Sequence, residues 1–175
     1  MLDLNEIPVL ETARLRLRRV EERDVDALAA MFGDPRYMRF MGDGKLVDRA
    51  AAWRAIAGAL GHWALRGYGF FAVEEKAVGR FIGWSGVLNP EGWPGIEIAW
   101  GIAPDRWRQG FATEAATAVL RYAAGTLHLT RLVSLIHPEN VASIRVAEKI
   151  GERFVSIIEF QGKEARLYAI DLPPQ

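Results

Sequence analysis

GIEIAWGIAPDRWRQGFATEA, residues 95–115, decides how this chain folds. Ile96, Ile98, Trp100 and Ile102 alternate with Glu97, Ala99 and Gly101, the period of two that marks a strand. Pro104 ends the strand, because proline has no amide to give to a ladder. From Phe111 the apolar residues change to helical spacing, through Ala115, Ala118, Val119 and Tyr122. Between strand and helix lies Arg106-Trp107-Arg108-Gln109-Gly110-Phe111-Ala112-Thr113, where Gly110 and Ala112 leave the backbone accessible. The first amides of a helix have no partner inside it and carry partial positive charge, so the junction suits a phosphate or pyrophosphate. Arg106 and Arg108 would attract the anion, and Thr113 adds a hydroxyl. The alternative is a plain connection in which Gly110 only permits a turn. No Gly-Lys-Ser/Thr and no G-x-G-x-x-G occurs here, so Walker-type and dinucleotide loops are excluded.

Working outward, Arg14–Arg18 alternates strictly and predicts a strand with one solvated basic face. Asp24 is placed to cap a helix carrying Val25, Leu28, Ala29 and Phe32, stopped by Gly33 and Asp34-Pro35. Asp48 is placed to cap a second, carrying Trp53, Ile56, Ala57, Leu60 and Ala64 and closed by Gly67. Residues 68–74 and 78–88 predict a hairpin, and Asn89–Gly95 a loop. Leu132, Val133, Leu135 and Ile136 predict a buried strand, Asn140 a cap for a helix through Lys149, and 153–160 with 164–171 a last hairpin. The sum is one α/β (α+β) domain over residues 1–175. It has six or seven mostly antiparallel strands and about four helices. The central strand-helix-strand unit makes one parallel pair.

Composition narrows the function. Lys plus Arg and Asp plus Glu are 22 each, so no basic field argues for nucleic acid. There is no cysteine, which removes disulfides and thiol nucleophiles. His62, His128 and His137 are too scattered for a metal site, so no metal is expected. No apolar run is long enough to span a membrane, and the acidic N-terminus broken by Pro8 does not resemble a secretory signal. A cytoplasmic protein is expected.

With these segments in hand, the chain resembles the GCN5-related N-acetyltransferases, and most of all their ribosomal-protein N-acetyltransferase (Rim-like) branch. The resemblance spans nearly the whole chain. Leu10–Arg18 is similar to that branch's first strand and Gly67–Val73 to the strand after its second helix. Trp107–Ala115 is similar to its acetyl-CoA pyrophosphate loop and Asn140–Gly151 to its second cofactor segment. The resemblance implies a GNAT-type twisted sheet and acetyl-CoA as co-substrate. It implies cofactor contacts from Trp107, Arg108, Gln109, Gly110, Phe111, Ala112 and Thr113, from the Trp100 and Ile102 backbones, and from Asn140 and Ser143. Three positions depart from the family pattern. Trp107 stands where Gln or Arg is frequent, so its contact is expected through the backbone. Ala147 stands where many members carry a tyrosine that protonates the leaving thiolate; Ser143 is the substitute the branch suggests, with water or Tyr168 behind it. Glu152 replaces a phenylalanine, which reads as a surface change.

Acetyl transfer to an amine needs a held thioester, a neutral amine, a donor for the developing oxyanion and a hydrogen bond for the departing sulfur. Glu97 is a carboxylate in an otherwise apolar strand, which is costly unless it is partnered or faces a cleft. It is either the general base or a structural carboxylate. His137 ranks below it. Asn140 and Ser143 have a structural reading too, as the start of a helix. Trp84, Trp93 and Trp100 either line an acceptor cleft or pack in the core, with Asn89–Gly95 and Tyr37–Lys45 as rims. The expected function is N-acetyltransfer from acetyl-CoA to a primary amine, a protein N-terminus or a small molecule, in a ternary complex. The protein is expected to be a monomer or a homodimer. The alternatives are a silent acyl-CoA-binding regulatory module and a nucleotide or sugar-phosphate binder.

Overall fold

The computed structural model describes residues 4–173. Its strands are β1 (Leu10–Glu11), β2 (Leu15–Arg18), β3 (Phe70–Glu75), β4 (Arg80–Leu88), β5 (Glu97–Ile102), β6 (Arg131–Ile136), β7 (Arg153–Phe160) and β8 (Lys163–Asp171). The helices are α1 (Val25–Phe32), α2 (Pro35–Met38), α3 (Arg49–Arg66), α4 (Phe111–Gly125) and α5 (Val141–Ile150). One sheet of eight strands runs β1-β2-β3-β4-β5-β6-β8-β7, antiparallel everywhere except between β5 and β6. The strand beyond the expected seven is the two-residue edge β1, too short to show a period. The additional helix, α2, starts where a stop was expected. Asp34 ends one helix and caps the next, accepting from the Arg36 amide at 2.8 Å with Pro35 at the first helical position.

Strand alternation splits the core between the two faces. Phe71, Val73, Ile82, Ile98 and Leu132 pack with Phe111, Ala115 and Val119 of α4. Ala72 and Phe81 pack on the other side with Leu28, Met31 and Ile56 of α1 and α3. The buried stripe of α3 is Ala52, Ile56 and Trp63, so Trp53 lies beside it and stands in solvent. Asp48 does cap α3, accepting from the Ala51 amide at 2.8 Å. The last hairpin turns on Gln161 and Gly162, both at positive φ (50° and 74°), as a two-residue type I′ turn requires.

Two charged residues depart from their sequence reading. Arg18 is buried, not solvated: its guanidinium grips both oxygens of Asp24 at 2.8 and 2.7 Å and reaches Glu74 at 2.9 Å. Asp24 therefore makes no cap bond to α1; its carboxylate serves Arg18 and the Glu21 amide. A fork–fork pair of this kind is strong only because nearly all its lone pairs are used. It pins the start of α1 against β2 and β3, and so positions one wall of the cavity below.

Candidate active site

The α4 junction is a cradle of unpaired amides. Gly110 has φ 82°, a left-handed conformation that glycine adopts without strain. The first helical bond of α4 is from Glu114 N–H to the Gly110 carbonyl at 3.0 Å. None of the amides from Arg108 to Thr113 meets an acceptor among the described residues. Buried or clustered donors left without acceptors mark a place for an anion. Arg14 clamps the loop from β2's side: it pairs with Glu114 at 2.7 Å, donates to the Gln109 carbonyl at 2.9 Å and lies over the Phe111 ring. The basic face of the first strand is thus partly a loop clamp. Arg106, expected at the anion, is turned back to Glu75 at 2.8 Å, whereas Arg108 makes no ion pair among the described residues. The Trp107 indole folds onto the Ile102 carbonyl at 2.6 Å, which occupies that carbonyl from within the chain.

The second feature is a gap in the sheet. The β5–β6 ladder has one register pair, Glu97 with Val133, beside which the Val133 N–H donates to the Ile96 carbonyl at 2.9 Å. Beyond it the strands diverge and side chains bridge them. Ser134 Oγ donates to the Ile98 carbonyl at 2.7 Å, and the Leu135 amide donates to Glu97 Oε1 at 3.1 Å. Backbone groups of alternate residues on a strand point the same way, so Trp100 N–H and C=O face β6 as Ile96 and Ile98 do, where no rung remains. A cavity of about 590 Å³ occupies this region. Glu97, Trp100, His137, Asn140 and Ser143 all line it.

Glu97 is buried and fully engaged. Its Oε2 accepts from Trp93 Nε1 at 2.6 Å, which ties it to the loop before β5. Burial pushes its pKa up to about 7, while the bonds from Trp93 and the Leu135 amide work against that rise. Asn140 caps α5 through the Ser143 amide at 3.2 Å. Ser143 is itself on the cavity wall. Tyr168 is not: it is buried against Ala147 and Ile136. Ala147 is fully buried, so this face of α5 is sealed by β8 at the level where a tyrosine would have stood.

Glu152 contradicts its surface reading. It is 2% exposed, and neither carboxylate oxygen has a hydrogen-bond partner among the described residues. Burial pushes its pKa to about 8, and the Glu97 charge adds to the rise. No period announces this burial, because the residue follows the helix-ending Gly151 directly. A carboxyl whose folded pKa lies above its ordinary 4.5 keeps a proton that the unfolded chain releases, so stability falls as pH rises from there toward 8. Glu152→Met should therefore raise the melting temperature. The stabilisation behind it should be small at pH 5 and grow to about 3–5 kcal/mol near pH 8, since each pKa unit is worth about 1.36 kcal/mol. Thermal melts at the two pH values check this; a gain that does not change with pH would mean that Glu152 titrates normally.

Known proteins resemble this chain in both sequence and fold. Residues 14–153 match the Acetyltransferase (GNAT) domain family. The YkkB protein of Bacillus subtilis strain 168 is 34% identical over 91% of this chain and 93% of its own length. An acetyltransferase from Agrobacterium tumefaciens strain C58 superposes with a TM-score of 0.84 at 30% identity, covering 94% of this chain and 95% of that one. RimJ of Mycobacterium smegmatis, solved with a CoA disulfide, shares the fold at a TM-score of 0.74 and 22% identity, over 94% of this chain and 86% of that one. The chain belongs to the GNAT acetyltransferase family. It is an acetyl-CoA-dependent acetyltransferase with Rim-type enzymes among its structural neighbours.

Proposed function

We propose that this protein, acting as one domain, transfers the acetyl group of acetyl-CoA directly to a primary amine held in the same cavity. The observation that carries the reading is Glu97: a buried carboxylate of raised pKa on the wall that Asn140 and Ser143 share. Acetyl-CoA supplies the acyl group as a thioester. The amides from Arg108 to Thr113, with Arg108, are proposed to hold its pyrophosphate, and the unpaired Trp100 backbone to hold the pantetheine arm. Charge-assisted bonds of this kind contribute about 1.5–3 kcal/mol each. Asn140 and Ser143 complete that wall from α5.

Glu97 takes the proton from the ammonium, directly or through water. The neutral nitrogen then forms a C–N bond to the acyl carbon as the C–S bond breaks, and the second proton it sheds to become an amide passes to the departing thiolate or to solvent. A β5 amide facing the gap donates to the developing oxyanion. Ser143 donates a hydrogen bond to the departing sulfur, whose thiol is acidic enough, with a pKa of about 8.5 for an ordinary thiol, to leave without full protonation. Direct transfer is supported by the lack of any cysteine to carry an acyl group. Initial velocities with varied acetyl-CoA and amine test it: intersecting lines are expected, and parallel lines would point to an acyl-enzyme.

Ser143→Ala should lower kcat by about ten- to a hundredfold, the worth of one hydrogen bond to developing charge. Acetyl-CoA affinity should change little, because the Asn140 cap bond uses the residue's amide and not its hydroxyl. An unchanged kcat would leave Ser143 as a helix-start residue and water as the donor.

A further inference from the structure

The wall of the cavity opposite Asn140 and Ser143 says what kind of amine fits. It is built from Phe32, Ile56, Ala59, Phe70, Phe81 and Trp84, contributed by α1, α3, β3 and β4. Phe70 and Trp84 stack with ring centroids 4.4 Å apart. The indole N–H groups on this side of the cavity are already used. Trp84 Nε1 donates to Tyr37 Oη at 2.8 Å, and Trp93 Nε1 to Glu97. Lys163, the one cation among the lining residues, reaches across to the Gly42 carbonyl at 2.9 Å. The acidic groups on the lining, Glu97, Asp43 and Glu164, outnumber it.

The segment after α2 roofs this space. Phe40 lies 4.9 Å from the His137 ring, and Arg39 pairs with Glu139 at 3.3 Å. Together with Lys163 these contacts fasten the roof to elements on the far side of the gap. A peptide chain would press amide and carbonyl groups onto the Phe70–Trp84 wall, whose one polar handle, Trp84 Nε1, is taken by Tyr37, and unpaired buried amides are costly. A carboxylate on the acceptor would meet three acidic groups against the single cation Lys163. An ammonium group, in contrast, is drawn toward Glu97, and a ring beside it meets only rings and methyl groups.

Resting on the acetyl-transfer reading above, we propose that the acceptor is a small primary amine bearing an apolar, ring-sized side chain and no carboxylate, with the Phe70–Trp84 wall as its side-chain subsite. The experiment measures thiol release from acetyl-CoA with 2-phenylethylamine, ethylamine, L-phenylalanine and a peptide with an N-terminal serine. In parallel, 2-phenylethylamine and ethylamine are titrated calorimetrically into protein saturated with CoA. We expect kcat/KM for 2-phenylethylamine to exceed that for ethylamine by about 10–100-fold, the worth of burying one ring. L-Phenylalanine and the peptide should fall well below it. Ala59→Trp, and the milder Ala55→Phe on the same helix, should lower the rate with 2-phenylethylamine more than that with ethylamine. A peptide used as well as 2-phenylethylamine, or no ring preference in either rate or binding, overturns the subsite. Ring-dependent binding without thiol release from any amine keeps the subsite and overturns acetyl transfer instead.

Discussion

Gly110→Glu is expected to raise the dissociation constant for acetyl-CoA by about 10²–10⁴-fold, from losing two or so charge-assisted bonds at about 1.5–3 kcal/mol each. The φ of 82° and the unpaired amides around it give the reason. A side chain here stands at the mouth of the amide cradle, and a carboxylate repels the pyrophosphate it is meant to receive. The fold should survive. A Cβ at this position has only Arg14 Nη2 near it, at 3.5 Å, and the left-handed conformation costs a non-glycine residue about 1–2 kcal/mol. Calorimetry with acetyl-CoA, backed by a thermal melt, decides the matter. A folded variant with near-normal affinity would mean that the pyrophosphate is bound elsewhere.

The second large effect concerns Glu97→Gln, which should lower kcat by about 10²–10⁴-fold, the usual worth of a general base. The base works when ionised, so the wild-type rate should climb as pH rises through about 7 and then level off. The glutamine variant should lack that climb. Glutamine can accept from Trp93 or from the Leu135 amide but not from both, so some loosening of the closed end of the gap is built into the substitution. The pH profile separates the two roles. A lower rate that keeps its acidic limb near 7 would make Glu97 a structural brace between β5 and β6. A lost limb with intact acetyl-CoA affinity makes it the base.

How much of this was legible in the sequence depends on how local each feature is. The strand-to-helix junction was, because a change of period from two to helical spacing and a glycine at the join are properties of neighbouring residues. So were the Asp48 and Asn140 caps and the left-handed stops at Gly67 and Gly151. What escaped depends on partners far away in the chain. Arg18 alternates like a solvated residue, yet Glu74, 56 positions later, covers it. Arg14 reads as part of the same face until Glu114, 100 positions on, draws it to the loop. Trp93 sits in a loop of prolines and glycines, and only the fold shows that its indole holds Glu97. Trp84, which had a core reading and a cleft reading, has both: one side packs with Tyr37 and the other lines the cavity. Their packing needs Gly101, where a Cβ would collide with Tyr37 Oη and the Trp84 ring.

The proton on Glu97 is wanted by two competing properties of the molecule. On the proposed mechanism turnover needs the carboxylate bare, and its bare fraction grows with pH through about 7. Folding favours the opposite form. The carboxyl's pKa is raised from 4.5, so the unfolded chain gives up this proton earlier, and the native state weakens over that interval by an order of 3 kcal/mol. The alkaline conditions that the proposed mechanism favours are therefore those in which this group contributes least to the stability of the empty enzyme. A bound co-substrate restores part of the difference by mass action, since it binds only the native form. With Glu97 as the base, co-substrate supply thus sets how much of this loss is offset: saturated, the protein recovers stability at the pH where the carboxylate is bare; starved, this group steadies it most in mild acid, where the base is protonated.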